Sequence, residues 1–172
     1  MNYKKVFLIG MMYSGKTTIG QILASQIKFS FLDIDYEIQN ILDMSINDIF
    51  KIHGEKKFRA LESVFFKECS NLNKHIFSTG GGLILNQDSY QILKNNKAVF
   101  FLDSSPEIIY KRFQKDSNKH HRPLLNNASL SLIDTIYKKR YDLYKSCSEF
   151  VINTDYCTPT EVANKIEMYL NA

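Results

Sequence analysis

Short runs of apolar residues alternate along this chain with stretches in which apolar residues recur every three or four positions. A short run rich in β-branched or aromatic residues indicates a buried strand, and the longer spacing indicates an amphipathic helix. The runs predict five strands, at residues 6–9, 31–34, 75–79, 98–103 and 149–153. The spaced stretches predict helices that begin near residue 15, that cover about 36–42, 46–53, 55–70, 87–95 and 129–146, and that follow Ser105-Pro106 and Thr158-Pro159.

Strands that alternate with helices favour a parallel sheet with helices on both faces. We therefore expect the α/β class, as a single three-layer α/β/α domain over residues 1–172 built on a five-stranded parallel sheet. Such a sheet binds ligands outside the carboxyl ends of its strands. The polar and glycine-rich features of the chain follow the first three predicted strands, which places the candidate site at that edge.

One segment fits neither pattern. Residues 114–128, with the sequence QKDSNKHHRPLLNNA, are polar and lack periodic apolar positions. A loop of this length without secondary structure is usually functional. We expect this segment to form a mobile lid.

The composition, 44% hydrophobic and 23% charged residues, is that of an ordinary soluble globular protein. No apolar run approaches the roughly 20 residues that a membrane span requires, so we expect a cytoplasmic protein without a membrane partner. The net charge of +4 suits an anionic small-molecule substrate but is too small and too scattered to favour nucleic acid. For a domain of this size without a long apolar edge, we expect a monomer.

The chain has three cysteines, Cys69, Cys147 and Cys157, and no C-x-x-C pair. This spacing is not that of a disulfide framework or a metal site. We interpret the three residues as buried or idle thiols in a reducing compartment.

The stretch GMMYSGKTT, from Gly10 to Thr18, lies between a predicted strand and a predicted helix and satisfies G-x-x-x-x-G-K-[ST]. In such a loop, backbone N–H groups and the helix N-terminus surround the phosphates of a nucleotide. Lys16 reaches the β- and γ-phosphates, and the Thr17 hydroxyl is placed to ligate Mg²⁺. The motif in this setting predicts a nucleotide site.

Tyr13 occupies a loop position at which many such loops have glycine. If φ is positive there, a side chain costs roughly 1–2 kcal/mol relative to glycine. The general motif leaves this position free, so we expect the loop to form with Tyr13 at its outer edge.

The chain lacks the further motifs of a GTPase switch. It contains no D-x-x-G, and its nearest approach to N-K-x-D, Asn164-Lys165-Ile166-Glu167, ends in glutamate and lies in the last amphipathic helix. Among proteins with this loop, which are mostly switches, motors or small-molecule kinases, a GTPase switch is therefore disfavoured.

Asp33 and Asp35 lie two residues apart at the end of the second predicted strand, so we expect both side chains on one face of it. Two carboxylates beside a bound triphosphate divide the tasks of holding Mg²⁺ and accepting a hydroxyl proton. The alternative is an ordinary polar strand end.

Three arginines are candidates for binding anions. Arg140 falls inside the apolar stripe of helix 129–146 and needs an anionic partner, either an internal carboxylate or a bound substrate. Arg59 is ambiguous, because an exposed i, i+3 pair with Glu62 is the common case. Arg122, in the predicted lid, is either a solvated loop residue or a cation that stabilises charge during phosphoryl transfer.

Together these motifs resemble the shikimate kinase family over essentially the whole chain. The matching pieces are LIGMMYSGKTTIG (8–20), FLDIDYEI (31–38), SINDIFKIHGEKKFRALE (45–62), STGGG (78–82), RPLL (122–125) and the helix of Arg140. The resemblance implies a P-loop NTPase fold of the nucleoside-monophosphate-kinase type, with a lid at about 114–128 and shikimate-binding helices at about 36–62. It implies ATP-dependent phosphorylation of the 3-hydroxyl of shikimate, in aromatic amino-acid biosynthesis.

The resemblance also implies roles for individual residues. Asp35 holds the acceptor hydroxyl and acts as base, with Lys16 and Arg122 as its catalytic partners. Mg²⁺ is held by Thr17 and, through water, by Asp33. ATP is bound by Tyr13, Ser14, Gly15, Lys16, Thr17, Thr18 and Arg122, and shikimate by Asp35, Arg59, Gly80, Gly81, Gly82 and Arg140. Lys115 matches an adenine-contacting position of the family, and residues 157–159 border the adenine.

The loop departs from its family at one position, because the family's loop usually reads G-x-x-G-x-G-K-[ST] and Tyr13 replaces the second glycine. Two other functions remain open. One is a kinase of another small polyhydroxy acid, such as gluconate, and the other is a nucleotide-binding module without turnover.

Overall fold

The computed structural model of the chain describes residues 3–116 and 129–172. Its strands are β1 (Lys5–Ile9), β2 (Ser30–Asp33), β3 (His75–Ser78), β4 (Val99–Asp103) and β5 (Phe150–Asn153). Its α-helices are α1 (Lys16–Ile27), α2 (Ile34–Leu42), α3 (Ile46–Cys69), α4 (Gln87–Lys94), α5 (Pro106–Lys115), α6 (Leu130–Cys147) and α7 (Pro159–Asn171). A 3₁₀ turn, which the apolar pattern did not predict, covers Leu83–Leu85.

The five strands form one sheet in the order β2-β3-β1-β4-β5, and every neighbouring pair is parallel. The predicted five-stranded parallel sheet is therefore confirmed. Strand β1 is central, so the loop that follows it opens between the segments that follow β3 and β4. Crevices outside the carboxyl ends of strands are the usual ligand sites of such sheets.

Alternate residues of the central strand face two separate hydrophobic cores, as the pleat of a strand requires. Phe7 and Ile9 pack on the side covered by helices α2 to α6. Val6 and Leu8 pack on the side covered by α1 and α7. All four side chains are fully buried. This arrangement confirms the three-layer α/β/α architecture.

Helix α3 is interrupted at Gly54, whose φ of 77° and ψ of 160° are not helical. Glycine adopts a positive φ at little steric cost, so the chain changes direction there and resumes as a helix. The predicted break between segments 46–53 and 55–70 is confirmed. The second segment carries Arg59 and Glu62 towards the glycine run that follows β3.

Local signals for helix starts are also confirmed. The Ser105 hydroxyl accepts from the Ile108 N–H, with Pro106 at the first helical position. Thr158 and Glu161 form a reciprocal capping box at the start of α7. In the described part of the chain, no helix combines the length and hydropathy needed to cross a membrane.

Candidate functional site

Residues 10–15 form a tight loop between β1 and α1, as the motif predicted. Gly15 precedes the helix with a φ of 95°, a left-handed conformation that glycine adopts without strain. The Lys16 ammonium lies over the loop and donates to the carbonyls of Gly10 at 3.0 Å and Met11 at 2.8 Å. The chain therefore holds Lys16, the lysine expected to bind phosphate, inside the loop.

A cavity of about 390 Å³ opens in front of this loop, a size within the usual range for small-molecule sites. Six of the seven residues expected to bind ATP, 13–18, line it, and the seventh, Arg122, lies outside the described residues. Asp33, Asp35, Gly81 and Arg112 lie on its other walls. The structure thus brings the loop and the predicted carboxylates to one cavity.

The far end of this cavity is lined by Thr154, Cys157 and Pro159, in the region expected to border the adenine. Lys115, by contrast, is exposed and does not line the cavity. The cation of α5 that does line it is Arg112, one turn earlier, which no sequence motif singled out.

Arg112 is held by three contacts. Its guanidinium donates to the Tyr13 carbonyl at 2.9 Å, the Ser104 hydroxyl at 3.0 Å and the Thr154 carbonyl at 2.8 Å. These contacts join the phosphate loop, the segment after β4 and the segment after β5. Arg112 therefore fixes one wall of the cavity.

The Thr17 hydroxyl lies 2.6 Å from a carboxylate oxygen of Asp33. The other Asp33 oxygen accepts from the Tyr36 N–H at 3.3 Å and so caps helix α2. The expectation that Asp33 and Asp35 project from one face of a strand is therefore wrong. Strand β2 ends at Asp33, and because its side chain caps the next turn, the chain is helical from Ile34 onwards. Both carboxylates nevertheless line the same cavity.

Asp35 approaches the glycine run after β3 very closely. A Cβ added at Gly80 would lie 2.0 Å from Glu62 Oε1 and 2.7 Å from Asp35 Oδ1. Because both atoms lie close to one point, Glu62 Oε1 and Asp35 Oδ1 are neighbours on the same side of Gly80. Only a residue without a side chain leaves room for both at this point.

Glu62, which the sequence reading noted only as the partner of Arg59, is the most buried charged group of the site. Its side chain is 1% exposed, and Arg59 Nη1 lies 2.7 Å from its Oε2. Burial raises the pKa of Glu62 to about 7, although the charge of Arg59 acts in the opposite direction. Its other oxygen, Oε1, has no hydrogen-bond partner among the described residues.

The expected alternative for Arg59, an exposed ion pair with Glu62, is therefore wrong. The i, i+3 pair exists, but α3 packs it against the glycine run, where a Cβ at Gly82 would lie 2.4 Å from the Arg59 Cζ atom. Glu55, one turn earlier, holds the outer side of the same guanidinium at 3.4 Å.

Arg140 is 6% exposed and lies within the inward stripe of α6, as predicted. Its Nη1 donates to the Gly81 carbonyl at 3.1 Å, and the Tyr144 hydroxyl donates to the same oxygen at 2.5 Å. No carboxylate in residues 3–116 or 129–172 lies within ion-pair distance of it. Within the described part of the chain, Arg140 thus lacks the internal carboxylate that was one of the two partners expected for it.

Arg59 and Arg140 meet at a second, smaller cavity of about 50 Å³ beside the first. Gly80, Gly81 and Gly82 form its wall, and Asp35 lines both cavities. All six residues expected to bind the acceptor therefore lie together. Arg122 falls in the segment 117–128, outside the described residues, and with it most of the predicted lid.

Tyr13 adopts a φ of 63° in the loop, the left-handed conformation that the sequence reading identified as costly. Its hydroxyl lies 2.9 Å from Asp116 Oδ2, and its ring meets that of Phe113 edge-on at 5.8 Å. The loop forms despite the missing glycine, with the Tyr13 side chain directed to the end of α5.

Comparison with known proteins gives one consistent result. The model of the shikimate kinase family matches residues 12–171. The shikimate kinase of Caldicellulosiruptor bescii is 41% identical over 95% of this chain and 93% of its own length. That of Enterococcus faecalis is 36% identical over 95% of this chain and 96% of its own.

Solved structures agree with these sequence relatives. Shikimate kinase from Acinetobacter baumannii in complex with shikimate superposes with a TM-score of 0.91 at 29% identity, covering 99% of this chain and 94% of that one. The Aquifex aeolicus enzyme gives 0.80 at 29% identity, covering 97% and 96%. The fold is thus that of the P-loop kinases that act on small molecules, and the chain belongs to the shikimate kinase family.

Proposed function

We propose that this chain performs the reaction of its family, transfer of the γ-phosphate of ATP to the 3-hydroxyl of shikimate to give shikimate 3-phosphate and ADP. One observation carries the proposal. Asp35 lines both the cavity of the phosphate loop and the adjoining cavity where Arg59 and Arg140 converge. A kinase for a small hydroxy acid needs an acidic residue between its nucleotide site and the cations that bind the carboxylate of the acceptor.

The acceptor is held by the two arginines and positioned by the glycine run. Arg140 binds the carboxylate of shikimate, since a buried guanidinium requires an anion. Arg59, held in place by Glu62, lies at the same cavity and binds the carboxylate from the other side. Gly80, Gly81 and Gly82 line the cavity, and because Gly80 and Gly82 have no side chains, Asp35, Glu62 and Arg59 can pack against the backbone beside it. The oxygen of the 3-hydroxyl bonds to the γ-phosphorus of ATP, and the bond from that phosphorus to the bridging oxygen of ADP breaks. Asp35 accepts the proton that the hydroxyl loses.

On the nucleotide side, Lys16 and the loop N–H groups of residues 13–18 bind the phosphates. In the free protein the Lys16 ammonium is satisfied by loop carbonyls, and it is close enough to exchange them for phosphate oxygens. We keep Arg122 as a proposed phosphate-binding residue on the family resemblance alone.

The Thr17–Asp33 pair fits a magnesium ion. A hydroxyl and a carboxylate 2.6 Å apart at the mouth of the phosphate loop are oxygen donors of the kind that Mg²⁺ accepts, and it needs few from protein because water and phosphate supply the rest. When bound, Mg²⁺ would neutralise charge on the transferring phosphate.

We further propose a cytoplasmic monomer without a membrane partner. We also propose that it has no nucleic-acid partner, which the mild net charge of +4 supports. The decisive test of function is a coupled assay of ADP release from Mg-ATP, with and without shikimate. Shikimate-dependent release of ADP is expected. Its absence would refute the proposal, and a higher kcat/KM for gluconate or another polyhydroxy acid would reassign the acceptor.

A further inference from the structure

Tyr13 combines an unfavourable backbone conformation with an unusually well-held side chain. Its φ of 63° is left-handed, which strongly disfavours a residue that carries a Cβ. It is the one residue of the Gly10–Thr18 loop that departs from its family's usual pattern. A protein that keeps tyrosine there must supply contacts that stabilise this conformation.

These contacts come from the C-terminal end of α5. The Tyr13 hydroxyl donates to Asp116 Oδ2 at 2.9 Å, and its ring packs edge-on against Phe113. On the main chain, the Tyr13 carbonyl accepts from Arg112 Nη1 at 2.9 Å. Side chain and backbone are therefore both fixed to one helix end, within a span of five residues.

We propose that Tyr13 is a positioning residue for the phosphate loop, and that its contact with Asp116 maintains the nucleotide-binding conformation that glycine maintains elsewhere in the family. The inference rests on the proposed nucleotide site. It adds a dependence of nucleotide affinity on Asp116, the residue that follows α5.

The link to affinity follows from how the loop binds. Backbone N–H groups must point at the phosphates, so the backbone angles at Tyr13 decide whether the loop is competent. The free-energy cost of a left-handed backbone conformation at one residue is similar in size to the stabilisation from one hydrogen bond. Removing the bond therefore lets other loop conformations compete, and the apparent affinity falls with the competent fraction.

The test measures the dissociation constant of magnesium ADP by calorimetry for Tyr13→Phe, Asp116→Ala and the double variant. Each single change should weaken binding roughly three- to tenfold, the effect of one hydrogen bond, and the double variant should be no weaker than either. Tyr90→Phe is the matched control, because its hydroxyl bonds Ser146 at 3.0 Å, away from the site.

A second comparison separates this role from general damage. Tyr13→Gly removes the contact but also the Cβ, so it should bind magnesium ADP within about twofold of wild type, and Asp116→Ala should have no effect in that background. Shikimate affinity and Tm should stay unchanged in Tyr13→Phe.

Wild-type affinity in both single variants would overturn the inference, as would additive effects in the double variant or an equal loss of shikimate affinity. If wild-type protein fails to bind magnesium ADP, the proposed nucleotide site is itself wrong and the inference falls with it. Binding by wild type with no change in the variants refutes the positioning role alone.

Discussion

Arg59 and Glu62 form an ion pair with a nitrogen–oxygen distance of 2.7 Å, and the glutamate end is almost fully buried. A buried carboxylate is costly even when it is paired. Here the pair has a clear consequence for the site, because it fixes a guanidinium at the wall of the cavity expected to receive the substrate carboxylate. The cost of burying Glu62 should be visible in the pH dependence of stability.

The first prediction concerns that pH dependence. The folded state raises the pKa of Glu62 to about 7 from an ordinary value near 4.5, so folding favours the protonated form. This contribution to stability is complete below pH 4.5 and is lost as pH rises through 7. Glu62→Gln stays neutral throughout, so its free energy of unfolding relative to wild type should rise between pH 5 and pH 8. Denaturant titrations at four pH values measure this difference, and parallel profiles would contradict it.

Gly80→Ala should disable the site. The added Cβ would lie 2.0 Å from Glu62 and 2.7 Å from Asp35, so both carboxylates must move. Misplacement of a reacting group by about 1 Å costs on the order of 10²-fold in rate, and we expect a loss of that size in kcat/KM for shikimate. Gly54→Ala is the comparison for steric fit, since nothing lies within 4 Å of its Cβ position. Its φ of 77° and ψ of 160° belong to a region that is essentially restricted to glycine, so this change should lower stability by roughly 1–3 kcal/mol through the backbone alone. Unchanged kcat/KM in Gly80→Ala would contradict the prediction.

Asp35→Asn should lower kcat by roughly 10²- to 10⁴-fold, the usual effect of removing a general base. Binding of magnesium ADP should be nearly intact, since the phosphate loop itself is unaltered. Steady-state kinetics and calorimetry on the same protein measure both. Asp43→Asn, at the exposed end of the same helix, should match wild type. Unchanged turnover in Asp35→Asn would remove its catalytic role.

Arg140→Ala should act on the acceptor. Loss of a desolvated cation that pairs with a carboxylate costs about 2–4 kcal/mol of binding free energy, so the dissociation constant for shikimate should rise while that for magnesium ADP does not. Lys138→Ala is its control on the same helix, because that cation forms an exposed ion pair with Asp134. If shikimate binds the Arg140 variant normally, its carboxylate is held elsewhere.

The three thiols should differ in reactivity. Burial raises the pKa of Cys69 to about 12 and that of Cys147 to about 11, and only the thiolate reacts. Cys157 is half-buried at the nucleotide cavity. Ellman's reagent should therefore modify one thiol per folded chain, magnesium ADP should slow the reaction, and Cys157→Ser should abolish it. Reaction at two sites, or no protection, would contradict this.

The sequence predicted features that depend on local patterns. The strands, the phosphate loop and the inward position of Arg140 follow from periodicity and motif, and the structure has all of them. The prediction that Asp33 and Asp35 share one face of a strand was wrong. Strand β2 ends where the Asp33 side chain caps helix α2, and the spacing of apolar residues carries no information about such a cap.

Long-range packing explains what the sequence reading missed. An i, i+3 pair such as Arg59 and Glu62 looks the same whether it is solvated or buried, and only the packing of α3 on the glycine run decides. The position of Arg112 at the cavity could not be predicted for a similar reason. It is held there by hydrogen bonds to the carbonyls of Tyr13 and Thr154, which are distant in sequence.

The glycine run 80–82 also bears on how this site would respond to an inhibitor. For a compound bound in the smaller cavity, the part of the wall formed by Gly80 and Gly82 offers no side chain to exchange. Every substitution at these two positions adds a Cβ that meets Glu62 or Arg59. Escape by mutation of these glycines would disturb the enzyme's own ion pair, so resistance should arise at other positions or carry a loss of activity.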